Sequence, residues 1–176
     1  MFKELTNDPF YIEYKKCNRC VLDYFIIESN LDHKDVLLYA MNKIKEDDSF
    51  ITIDKDKMIY KKIDSKELFQ LPNDYEKERH NLGNGYKRPY WFLFLDPPHK
   101  TNYKIDDFIK INNILFPKGK DNLEIYDWNV EWSNYFDDGL EWWGAAAISI
   151  YDKLMNRYVI ILASSTDWYI FSLRKG

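Results

Sequence analysis

Two apolar runs near the end of the chain, residues 145–151 and 158–163, are joined through a five-residue polar loop, 152–156, and that spacing makes an antiparallel hairpin their natural connection. The second run, YVIILA, is apolar at every position. Successive strand side chains point to opposite faces, so such a strand needs cover on both sides. It therefore belongs at the centre of a sheet with layers packed above and below.

Other segments fill in around that hairpin. Residues 21–28 (VLDYFIIE) and 123–130 have strand character, and 90–95 (YWFLFL), apolar throughout and stopped by Asp96-Pro97-Pro98, reads as a further strand buried on both faces. Residues 50–53 and 57–62 flank Asp54-Lys55-Asp56 as a second hairpin. Val36, Leu37, Ala40, Met41 and Ile44 share one face behind Asp32 as N-cap and Asp35 at the third helical position, which predicts a helix over 33–46. Ile105, Phe108, Ile109, Leu115 and Phe116 mark another, closed by Pro117 and Gly119. Ser65 caps a short helix ending before Pro72, and the polar stretch 73–88, punctuated by Gly83-Asn84-Gly85, reads as an exposed loop. The order predicts a single α+β domain over residues 1–176: a mostly antiparallel sheet of five or six strands packed with two or three helices.

Composition narrows the function classes. With 176 residues, 45% of them hydrophobic, the chain can bury one sizeable core. A net charge of −4 argues against a general nucleic-acid binder, whose affinity comes from neutralising phosphates. Acidic and polar residues stand at the start, where a secretory leader needs an apolar stretch, and no segment is long and apolar enough for a bilayer, so the expected setting is the cytoplasm, away from membranes. Cys17 and Cys20 have the spacing of half a zinc knuckle, but His33, His80 and His99 supply no second close pair. Two reduced thiols, with no metal or cofactor, are expected.

The charge is unevenly placed. Residues 121–152 hold eight acids and no Lys or Arg, so the remainder of the chain is net basic by four. Four of the six Trp fall between Trp128 and Trp143, inside the same stretch. Two readings follow: the rings fill the core while the acids face water, or the rings are amphipathic anchors on an acidic face that holds a basic protein partner. The second reading names Trp128, Glu131, Trp132, Tyr135, Asp137, Asp138, Glu141 and Trp142 as the partner-binding set. The same ingredients, carboxylates beside aromatic rings, are those of a carbohydrate-acting hydrolase, and exposed Trp and Tyr could equally form a homodimer interface in a structural subunit.

Residues 132–144, reading W-S-x-Y-F-D-x-G-x-E-W-W-G, followed by the hairpin and by Ala163-Ser164-Ser165-Thr166-Asp167, resemble the C-terminal block of small bacterial proteins similar to polymorphic-toxin immunity proteins. The resemblance covers roughly the last 45 residues and carries over no functional residue. It implies a cytoplasmic, non-catalytic protein that neutralises a toxin domain by occupying its active site or a nearby surface. An acidic protein suits the basic substrate cleft of a nuclease toxin.

Overall fold

A computed structural model describes residues 1–17, 21–82, 87–98, 103–141 and 143–164. Its strands are β1 (Lys3–Glu4), β2 (Leu22–Glu28), β3 (Tyr60–Ile63), β4 (Leu123–Trp128), β5 (Ala145–Asp152) and β6 (Arg157–Ser164). They form one sheet in the order β1-β2-β6-β5-β4-β3, every neighbouring pair antiparallel. β6 lies between β2 and β5, the interior position its two-sided apolar sequence demands. Its hairpin with β5 is closed by Asp152, whose Oδ1 accepts from the amides of Leu154 and Met155 at 3.0 and 3.1 Å, and by Asn156 at φ 51°. The edge strands are short, and β3 carries Lys61 and Lys62, which discourages pairing with another chain.

Seven helices lie among the described residues: α1 (Pro9–Tyr14), α2 (His33–Asp47), α3 (Ser65–Phe69), α4 (Tyr75–Asn81), α5 (Tyr90–Leu95), α6 (Ile105–Leu115) and α7 (Asp137–Glu141). The period of two splits the sheet residues between two cores. On one face Tyr24, Ile26, Ile125, Ile148, Ile150 and Ile161 pack with Phe10 of α1, the whole of α5, and Phe108 and Ile111 of α6. On the other, Ile27, Trp128, Ala147, Ile160 and Leu162 pack under Val36, Leu37, Ala40 and Met41 of α2 and under Trp132 and Phe136. The α+β architecture is as the sequence predicted. α2 starts behind Asp32, whose side chain accepts from the Asp35 amide at 2.9 Å.

Four local expectations are corrected. Residues 90–95 form a helix rather than a strand. A run apolar at every position has no period to read, and Pro89, at φ −60°, opens a helix that is buried all round. Residues 50–62 do not fold back on themselves: β3 pairs with β4, with Tyr60 opposite Trp128, and Ile53 bridges to Ser133. In both cases a non-local partner wins over the local turn. The polar stretch 73–88 contains α4, capped by Asp74 through the Lys77 amide at 3.1 Å, while Gly83-Asn84-Gly85 lies outside the described residues. The short helix after residue 64 is capped by Asp64, not Ser65.

One buried ion pair ties three elements together. Asp8 caps α1 by accepting from the Phe10 amide at 2.9 Å, and its other oxygen pairs with Arg157 at the start of β6. Arg157 also donates to the Leu115 carbonyl at the end of α6, at 2.8 Å, while its Nε has no partner among the described residues.

Candidate functional site

The acidic, Trp-rich segment divides cleanly into core and surface. Trp128 and Trp132 are each 1% exposed, and their indole N–H groups donate inward, to Ser149 Oγ at 2.8 Å and to the Asn129 carbonyl at 2.7 Å. This corrects their expected role as exposed anchors. Strand alternation turns Trp128 to the α2 face, and the bridge between Ile53 and Ser133 seals Trp132 beneath the 51–54 segment. Trp143 is likewise core, its indole donating to the Asp96 carbonyl at 2.6 Å. Tyr135 is half-buried and donates to Asp23 at 2.7 Å. Trp142 lies outside the described residues.

Glu131, Asp137, Asp138 and Glu141 are exposed, and none has an ion-pair partner among the described residues. The other acids of the segment are in part compensated by lysines from elsewhere. Glu124 pairs with Lys62 and Lys153 at 3.4 and 3.7 Å, Asp127 pairs with Lys87 at 2.6 Å, and Asp152 is buried in its turn. The negative surface is therefore narrower than the sequence suggested, concentrated on 131–141. Glycines hold that segment in shape. Gly144 has φ 144°, which L side chains rarely adopt, and a methyl on Gly139 would run into the Gly144 carbonyl and the Ser164 hydroxyl.

A ring missed by sequence reasoning is fastened to the segment that bears these acids. Phe50 is 84% exposed, yet its backbone is tied down: its amide donates to Asp48 Oδ1 at 3.0 Å and its carbonyl accepts from Asn134 Nδ2 at 3.0 Å. Asn134 Oδ1 accepts from the Thr52 amide at 2.7 Å, and the Asp54 amide donates to the Trp132 carbonyl at 2.7 Å. The 50–54 segment is thus fastened along the acidic stretch. The alternation in Phe50-Ile51-Thr52-Ile53 held the signal, since Ile51 turns inward and leaves Phe50 outside.

The second feature is a half-open cleft of about 580 Å³ at the start of α2, on the part of the sheet face that the helix leaves uncovered. Its walls include His33, Tyr60, Tyr126, Tyr151 and Tyr158, with Trp128 at its base. Tyr126 is sandwiched: His33 stacks on one side at 4.0 Å between ring centres, and Tyr60 on the other at 4.1 Å. Tyr158 meets His33 edge-on at 5.1 Å. Ser149 Oγ, fully buried, accepts from Trp128 and lies 2.8 Å from His33 Nδ1. Trp128 can only donate, so Ser149 accepts on that side, and the direction of its bond with Nδ1 follows the imidazole tautomer. Burial pushes the His33 pKa down to about 4 from the ordinary 6.5, which keeps the ring neutral. Burial alone would raise the Glu124 carboxyl, but the Tyr126 hydroxyl and Lys62 outweigh it and hold the group below its usual range.

Among the described residues no cluster of three or more His, Cys, Asp or Glu could hold a metal ion, and Cys17 is a free, half-buried thiol, while Cys20 lies outside the described residues. No helix among them is long and apolar enough to cross a membrane. The class these features define is an antiparallel α+β domain with helices on both faces of the sheet, bearing an acidic surface and an aromatic cleft. No protein-family model matches the chain, and no curated protein matches it in sequence.

Proposed function

We propose that the chain is a non-catalytic, cytoplasmic binding protein, immunity-like in role, that holds a basic protein partner such as a toxin domain through residues 48–54 and 131–141. The observation that carries this reading is that the exposed Phe50 sits on a backbone fastened through Asn134 to the segment that bears Glu131, Asp137, Asp138 and Glu141. A large ring on a backbone already fixed loses little freedom on binding, and it can act as the central anchor. The acids of the segment to which it is fastened supply attraction and fast encounter. Phe50 thus takes the place that Trp128 and Trp132 were expected to fill.

The hydrolase alternative needs one carboxyl kept protonated across a cleft from a second carboxylate. The cleft at the start of α2 contains Asp32, which caps that helix, and Glu124, which is held ionised, and not Glu131 or Glu141, so the acidic segment supplies no carboxylate to it and the placement favours binding over hydrolysis. The test is to recover the partner on immobilised wild-type chain from a lysate of the producing cells and then measure association kinetics with the Asp137→Lys, Asp138→Lys, Glu141→Lys triple variant. The on-rate is expected to fall by at least about tenfold at low salt and less at high salt. An unchanged on-rate at low salt overturns the reading.

A further inference from the structure

We propose that the cleft at the start of α2 is a binding site for a neutral saccharide, one or two sugar units in size. It is separate from the acidic surface and does not depend on it. The volume of about 580 Å³ falls within the range of small-molecule sites. His33 is only 7% exposed, its Nδ1 is occupied by Ser149, and Nε2 has no hydrogen-bond partner among the described residues. A neutral imidazole is therefore held at the cleft wall by the buried Trp128–Ser149–His33 chain, and its Nε2 donates or accepts according to the tautomer.

The remaining groups select the ligand chemistry. Tyr60, Tyr126 and His33 are already stacked on one another, so no slot remains between them for a flat heteroaromatic ring. The outer part of Tyr60, which is 50% exposed, offers a single apolar platform of the kind that the C–H face of a sugar covers. The Tyr126, Tyr151 and Tyr158 hydroxyls donate to Glu124, Asn156 and the Leu31 carbonyl, which leaves their oxygens as acceptors. Asp32 spends one oxygen on the Asp35 amide and keeps the other. Lys34 stands beside it, and Lys62 sits on Glu124, so the lining carries both signs and selects no net charge. Donors and acceptors alternating around an aromatic platform match a ligand whose hydroxyls do both at once.

The experiment titrates the full chain with cellobiose, maltose, lactose and N,N′-diacetylchitobiose, and separately with adenosine, following the His33 imidazole nitrogens by NMR. At least one saccharide is expected to shift the His33 Nε2 signal saturably, with a Kd of roughly millimolar. Tyr60→Ala should weaken that binding by about tenfold, with the melting temperature lowered only by the lost stacking on Tyr126. Asp32→Asn, which retains the cap acceptor, should weaken it several-fold, so a misfolded Tyr60 variant would not leave the question open. Absence of any saccharide-induced shift overturns the site. A shift with adenosine alone overturns the ligand class, and undiminished saccharide binding by both variants overturns the geometry.

Discussion

Acidification should destabilise this protein through His33, and the size of the effect follows from its burial. In the unfolded chain the imidazole takes up a proton at its ordinary value of 6.5; in the fold, burial delays this until about pH 4. The folded pKa is depressed, so the unfolded state binds more protons between those values. The stability this residue contributes is complete above pH 6.5 and drains away as pH falls towards 4. Integrating that difference from pH 7 to pH 5 gives a loss of about 2 kcal/mol, or roughly 4–8 °C in melting temperature for a chain of this size. The assay is urea unfolding of wild type and of His33→Gln at intervals from pH 7.5 to 4.5, alongside the imidazole titration by NMR. His33→Gln should be less stable at pH 7 and show a shallower fall below pH 6.5. An imidazole midpoint near 6.5, or parallel pH slopes in the two proteins, refutes the reasoning.

Other expectations concern the frame. Asp8→Asn should cost about 3–5 kcal/mol by leaving Arg157 buried and unpaired, and adding Arg157→Met should restore much of the loss, because the pair is itself incompletely satisfied; denaturant melts of the two single variants and the double variant check this. Trp132→Ala should cost about 3–5 kcal/mol as a core cavity. Phe50→Ala, by contrast, should change stability by no more than about 0.5 kcal/mol in the same melts. Gly144→Ala should lose about 1–3 kcal/mol to backbone strain at φ 144°, read as a lower melting temperature.

How much of this was legible depended on whether a local pattern had a local cause. α2, α6, β2 and the β5–β6 hairpin could be read because their apolar spacing, caps and short connection are all encoded within the element. The helix at 90–95 could not, since burial on every side removes the period that separates helix from strand. β3 was misassigned to a hairpin because its partner, β4, lies some sixty residues further on, where no turn residue marks it. At the candidate surface the acids were placed correctly as exposed groups, but the tryptophans were not. Their partners, Ser149 and the 51–54 segment, are brought to them only by the sheet. The aromatic cleft was invisible for the same reason: His33, Tyr60, Tyr126 and Tyr158 come from four separate elements.

The central claim is that the surface formed by 48–54 and 131–141 holds a basic partner while the tryptophans serve the core. Hydrogen–deuterium exchange of the chain, free and bound to the partner recovered from lysate, tests it most directly. New protection should map to amides 48–54 and 131–141, and the amides of the interior strands β4, β5 and β6 should be unchanged. Protection confined to α1 and α6, or to the aromatic cleft, with exchange at 48–54 and 131–141 unaltered, would contradict the account.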